Sequence, residues 1–196
     1  MITYRNPTLK ASQEFSLGIL AGGSGQRWGG HDKGLLIHKG RPLIHNICLT
    51  NPPWAEEVLI CCRGNPYFYQ HYADRILCEV ESDRGPCWGI VALLAAASTP
   101  NILILPTDLI SNVGRLTTRL KQARHGNTGA SVLIDSEGRA APCMRLSTSL
   151  RAICEQYIDR GGVKLSGLLE MLGAERVTVP DHWLTNANDR QALLNY

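Results

Sequence analysis

A chain of 196 residues, 44% hydrophobic and 19% charged, has room for one full-sized domain with a substantial core and is short for two. Its net charge of +3 is spread without any run of Lys or Arg, which argues against a general nucleic-acid binder. No apolar run nears the roughly 20 residues that span a membrane.

The elements read as follows in chain order. Residues 1–16 (MITYRNPTLKASQEFS) are polar and aperiodic, carry no apolar signal core, and read as a poorly ordered arm. A single domain is expected over 17–196. SLGILA predicts a short buried strand, followed by a glycine-rich loop and a helix beginning near Pro42 (PLIHNICL). EEVLICC predicts a second strand and RILCEV a weaker third. CWGIVALLAAAS, after Gly85-Pro86, has helical character, and NILILP predicts a strongly apolar strand ending at Pro106. VGRLTTRLKQARHG reads as an amphipathic helix with its cations toward the C-terminal end. ASVLIDSEGRAAPCMRL predicts two extended segments joined by a turn at Ser136-Glu137-Gly138, and so an antiparallel pair. Two helices (SLRAICEQYI, VKLSGLLEML), a strand (RVTVP) and a last helix capped near Asn186 or Asn188 complete the chain.

Strands alternating with helices imply an α/β, three-layer sandwich. Its sheet is mostly parallel and Rossmann-like, with an antiparallel addition in the second half. The seven cysteines are odd in number and include no Cys-x-x-Cys pair. They read as small apolar residues of a reducing cytoplasm, with a thiol-rich metal site as the alternative. Cys61 and Cys62, adjacent on a strand, are expected to face opposite sides of the sheet.

LAGGSGQRWGGHDKG, Leu20 to Gly34, sets six glycines and the cations Arg27 and Lys33 directly after the first strand. In open α/β sheets that position is the usual phosphate site. A Walker A loop requires Gly-Lys-Ser/Thr, but Lys33 follows Asp32 and precedes Gly34. The dinucleotide fingerprint can start at Gly23-Ser24-Gly25, yet Trp28 occupies its third glycine position. Kinase-type signatures are absent. What remains is an anion nest of backbone N–H groups, with Arg27 as a bidentate fork and Lys33 as a mobile point charge. The bland alternative is a glycine-rich turn carrying two solvated cations. Asp108, two residues past an apolar strand, is a turn former or helix cap taken alone. At the same sheet edge as the glycine loop it becomes a hard oxygen ligand for Mg²⁺.

LAGGSGQRWGGHDKGLLIHKGRPLI resembles the signature LAGGxSxRMGGxDKxLLxxxGxPLI of sugar-phosphate-type nucleotidyltransferases. Within them it is most similar to the molybdenum cofactor guanylyltransferases of the MobA type. RGPCWGIVALLAA resembles the family's PGPLAG segment at Gly85, Pro86 and Gly89. NILILPTDLI resembles its strand ending in Pro-Cys-Asp, and WLTNANDRQALLNY its FxNxNTPEEL ending. The likeness runs from about Leu17 to the C-terminus.

The resemblance implies a cytoplasmic, Mg²⁺-dependent transfer of GMP from GTP to molybdopterin, with pyrophosphate released and the product handed to a molybdoenzyme or a chaperone. It places GTP on Leu20, Ala21, Gly22, Gly23, Gly25, Arg27, Lys33, Asn65 and Asp108. Arg27, Lys33 and Asp108 carry the chemistry, Asp108 holds the metal, and Asn186 or Asn188 lies on the acceptor or metal side.

The chain departs from the family at several positions. Trp28 replaces a Met, Cys87-Trp88 a Leu-Ala, and Ala141 a His. The family's Asn after the second strand falls near Cys62 or Arg63, with Asn65 as a substitute. The aspartate before PGPLAG has Glu79, Glu81 and Asp83 as candidates. Two further functions therefore stay open: a related nucleotidyltransferase using CTP or another NTP on a different phosphate acceptor, and a non-catalytic nucleotide- or cofactor-binding homologue.

Overall fold

The structure, a computed structural model, describes residues 14–21, 32–48, 52–63, 66–79, 85–123 and 128–187. Its strands are β1 (Phe15–Ala21), β2 (Ile37–His38), β3 (Arg41–Pro42), β4 (Ala55–Arg63), β5 (Arg75–Glu79), β6 (Asn101–Pro106), β7 (Ala130–Ile134), β8 (Ala140–Ser147) and β9 (Glu175–Thr178). The helices are α1 (Leu43–Cys48), α2 (Pro86–Ala96), α3 (Val113–Gln122), α4 (Arg151–Asp159) and α5 (Leu165–Met171). Each strand and helix expected within these residues is present. β1 also takes in Phe15 and Ser16, the last residues of the segment read as an arm. The expected final helix lies outside the described residues.

Seven strands form one sheet in the order β5-β4-β1-β6-β8-β7-β9. β5, β4, β1 and β6 are mutually parallel, and β9 is parallel to β7. β8 runs against both of its neighbours, which is the antiparallel addition expected from the turn at Ser136–Gly138. Pro142 sits within β8 where the β7–β8 register shifts and beyond the last β6–β8 pair, Ile104 with Met144. A residue without an N–H is tolerated there because no regular ladder needs its donor.

Apolar side chains alternate between two cores, one on each face of the sheet. Leu17 and Ile19 of β1, Leu103 and Leu105 of β6, Ile44 and Ile47 of α1, and Leu116 and Leu120 of α3 fill the first. Leu59, Ile102 and Ile104, together with α2, α4 and α5, fill the second. Cys62 belongs to the first core and Cys61 to the second, as strand alternation requires. α2 is apolar on nearly every side (PCWGIVALLAA) and is correspondingly buried between the sheet and two other helices. All seven cysteines are free thiols. Among the described residues no helix is long and apolar enough to cross a membrane.

At the amino edge of the sheet, Glu57 gathers four donors. Ser16 Oγ donates at 2.9 Å, Ser98 N at 2.6 Å, Ser98 Oγ at 2.8 Å and Arg75 at 2.5 Å, joining β1, β4, β5 and the approach to β6. Burial disfavours the charged carboxylate, but these donors outweigh it and hold Glu57 below the usual glutamate range. The unfolded chain therefore takes up this proton first as pH falls. The stability contributed by Glu57 is full above its ordinary value of 4.5 and is lost as pH drops through its lower folded value. Urea denaturation at a series of pH values should show a shallower acid slope in Glu57→Gln than in the native chain. Equal slopes would contradict the assignment.

Candidate functional site

β1 and β6 are adjacent and parallel, with Leu20 opposite Pro106, so the segments that follow both strands leave from one carboxyl edge. The crossovers run outward to β4 and β5 on one side and to β6 and β8 on the other. This edge is therefore the switch point at which open α/β sheets bind ligands. Thr107 N donates to Leu20 O at 3.1 Å and extends the β1–β6 pairing one step past the strand. The next residue is Asp108.

The chain re-enters this edge at Asp32. Its carboxylate accepts from Gly34 N at 2.9 Å and caps a single 3-10 turn, Lys33–Leu35. Gly34 is buried, and a Cβ there would lie 2.6 Å from the Tyr69 hydroxyl and 3.2 Å from both Cβ and Cγ2 of Thr107. Such approach requires glycine. It sets Lys33 Nζ 3.1 Å from Asp108 Oδ2, in a pair whose side chains keep 24% and 13% of their exposure. A cation and a carboxylate predicted independently from sequence thus meet across 75 residues.

The C-terminal segment closes the other side. Ala187 N donates to Asp108 O at 2.7 Å, Ile110 N donates to Thr185 O at 3.1 Å, and Leu109 bridges Asn186 in antiparallel fashion. Asn186 is thereby fixed one residue from Asp108 along the bridge, and its Oδ1 is buried without a hydrogen-bond partner among the described residues. Beneath the edge, burial and then the Asp108 carboxylate push the Cys143 thiol up, so it stays protonated. Burial likewise raises Asp32 above its ordinary value, with Tyr69 and Gly34 N acting in the opposite sense.

Of the residues expected from sequence, Leu20, Ala21, Lys33, Asp108 and Asn186 are brought to this edge. Gly22, Gly23, Gly25, Arg27, Trp28, Asn65 and Asn188 lie outside the described residues, as do Glu81 and Asp83; Glu79 ends β5. Gly85 precedes α2 with φ +70, and a Cβ there would lie 2.7 Å from Val163 O, so the family's glycine has a steric reason at this position. Cys87 is buried, and its thiol donates to Val163 O at 3.5 Å. Asp32, Thr107, Tyr69 and the packing role of Gly34 were not read as site contributors. The aromatic cluster PYFYQHY, just past β4, was the available signal for Tyr69. A cavity of about 620 Å³ opens elsewhere, between Asn46 and Ile47 of α1 and Val113 and Thr117 of α3. Ile110 forms part of its wall, whereas Lys33, Asp108 and Asn186 do not line it.

The sequence profile described as the MobA-like NTP transferase domain matches residues 17–177. The chain belongs to the MobA-like NTP transferase family. Its curated relatives include the molybdenum cofactor guanylyltransferase of Pseudomonas fluorescens (strain SBW25), 34% identical, covering 89% of this chain and 90% of the relative. The protein of the same name from Ectopseudomonas mendocina (strain ymp) is 33% identical, covering 95% and 94%. In fold, this MobA-like chain is similar to the crystal structure of molybdopterin-guanine dinucleotide biosynthesis protein A from Archaeoglobus fulgidus. That comparison has a TM-score of 0.69 at 20% identity over 92% of this chain and 95% of the other.

The Asp32 turn of this family member can be tested by stability. The folded state holds the Asp32 proton more tightly than the unfolded state does. The buried charge therefore lowers stability as pH rises from 3.8 through the raised folded value. Asp32→Asn keeps an acceptor for Gly34 N and removes that charge, so at pH 7 it should be at least as stable as the native chain. Asp32→Ala should lose about 1 kcal/mol of cap. Chemical denaturation of the two variants checks the pair, and a stability loss in Asp32→Asn matching that in Asp32→Ala would contradict it.

Proposed function

We propose that this chain is a guanylyltransferase that transfers GMP from GTP to molybdopterin. An oxygen of the acceptor phosphate attacks the α-phosphorus of GTP and forms a new P–O bond. The bond from that phosphorus to the α,β-bridging oxygen breaks, and pyrophosphate leaves with the electron pair. Such a displacement asks the protein for position and charge neutralisation rather than covalent help.

The observation that carries this reading is the Lys33–Asp108 pair at the β1–β6 switch point, where the glycine-rich segment begins. Lys33 supplies a mobile positive charge within reach of a phosphate seated on that edge. The phosphate-cradling roles of Gly22, Gly23, Gly25 and Arg27 rest on their sequence motif. The names of the curated relatives support GTP and molybdopterin as the substrates.

The donor set at this edge suits Mg²⁺. Asp108 offers a carboxylate, and Asn186 offers a buried carbonyl oxygen that lacks a partner. No group of three or more His, Cys, Asp or Glu side chains that could hold a metal occurs among the described residues. A hard cation with few protein oxygens is completed by water and substrate phosphates, which is the habit of Mg²⁺. Bound there by Asp108 and Asn186, Mg²⁺ would neutralise charge on the triphosphate. Asp108 also keeps Lys33 in place until phosphate competes for it.

Pyrophosphate release from GTP, Mg²⁺ and molybdopterin tests the reading. Asp108→Asn should reduce the rate by roughly 100-fold or more while the chain remains folded. A native rate in that variant would remove Asp108 from the site. Calorimetric titration with GTP and CTP in Mg²⁺ decides the base, and GTP should bind more tightly. Tighter CTP binding would assign a cytidylyltransferase instead, and the absence of any pyrophosphate release would favour a non-catalytic binding protein.

A further inference from the structure

We infer that Tyr69 is a positioning residue for Lys33, acting through its hydroxyl on the Asp32–Gly34 turn; this rests on the role given to Lys33 above. The 3-10 turn Pro66–Tyr69 follows the carboxyl end of β4 and sorts its aromatics sharply. Tyr67 and Phe68 are 73% and 58% exposed, whereas Tyr69 is completely buried. Tyr69 belongs to the first core, the one that holds Ile44, Ile60 and Leu105, and Tyr72 N donates to Tyr69 O at 2.9 Å. Its anchor is therefore the sheet itself.

The hydroxyl at the end of this ring is what touches the site. It lies 2.6 Å from the point a Gly34 Cβ would occupy, on a turn that Thr107 crowds as well. Thr107 is tied to β1 through Leu20 O, so Gly34 is held between two groups that the sheet fixes. Burial, and then the neighbouring Asp32 carboxylate, push the phenol well up and keep it protonated. The hydroxyl makes no hydrogen bond of good geometry among the described residues, and the polar group it faces is the Asp32 carboxylate. A buried hydroxyl left in that state calls for an explanation. Phe would fill the core equally well. What Phe lacks is the oxygen that presses on Gly34 and faces Asp32, the residues on either side of Lys33.

A double-mutant cycle in the full chain tests this through pyrophosphate release and thermal melting. Tyr69→Phe should lower kcat/KM by roughly 10-fold, the scale of a small misplacement of a charged group. Its Tm should stay within a few degrees of the native value. In a Lys33→Ala background, Tyr69→Phe should have no further effect on kcat/KM, because the group it positions is gone. Gly34→Ala should be impaired, and Tyr69→Phe should partly restore it by removing the 2.6 Å clash. Additive effects of Tyr69→Phe and Lys33→Ala, or native kinetics in Tyr69→Phe, would overturn the inference.

An NMR measurement is independent of turnover. The resonance of ¹³C-methylated Lys33 should shift in Asp108→Asn, which reports the ion pair, and should shift in the same direction in Tyr69→Phe. An unmoved resonance in Tyr69→Phe overturns the inference. If Lys33→Ala turns over at the native rate, the catalytic reading of Lys33 fails, and the resonance alone decides the role of Tyr69.

Discussion

The parallel pairing of β1 with β6 is the constraint on which the candidate site depends. Because Leu20 lies opposite Pro106, the chain leaves both strands at one edge and in one direction. Thr107 then adds a hydrogen bond back to Leu20, so Asp108 starts from a fixed backbone. The Asp32–Gly34 turn is pressed onto that same Thr107. A glycine fits the contact, and Lys33 beside it reaches Asp108. Substituting a side chain at the glycine would move the cation without touching it.

The pair adds little to stability. An ion pair this near to solvent contributes about 1 kcal/mol or less. Its effect is electrostatic. Carboxylates stand on both sides of Lys33, in Asp32 as the turn cap and in Asp108 as the partner, while Cys143 beneath remains neutral. Asn186 arrives from the C-terminal segment through its bridge to Leu109 and adds an unmet oxygen to the same edge. The chemistry of the site therefore comes from three distant parts of the chain. The two central strands bring them into register, and the amino edge is clamped separately by Glu57.

Much of this was legible in the sequence, for identifiable reasons. SLGILA, EEVLICC and NILILP each contain an unbroken apolar run, and a strand covered on both faces needs such a run. VGRLTTRLKQ carries a clear helical period. The adjacent Cys61 and Cys62 divide between the two cores as alternation demands. The glycine-and-cation segment followed by Asp-Lys-Gly pointed to the β1–β6 edge as the candidate site, and the position of Asp108 after its strand pointed to the partner of Lys33.

The less legible parts depend on short elements or distant contacts. β2 and β3 have two residues each, and the 3-10 turns three or four, too few for any periodicity. Asn186 reads as a helix cap in sequence, whereas its observed partner, Leu109, is remote in the chain. Among Tyr67, Phe68 and Tyr69, nothing local says which ring turns inward; the core beneath β4 decides it. That choice matters because Tyr69 contacts the turn that carries Lys33.

Metal and triphosphate are proposed to meet at the β1–β6 edge. Titrating the ¹⁵N-labelled chain with GTP and a trace of Mn²⁺ tests it directly, because the paramagnetic ion broadens only nearby amides. Selective loss of the Asp108, Leu109 and Ala187 signals, with Glu57 and Ser98 at the opposite edge unaffected, is the expected result. Retention of the Asp108 and Ala187 signals, or broadening centred on the cavity between α1 and α3, would contradict it.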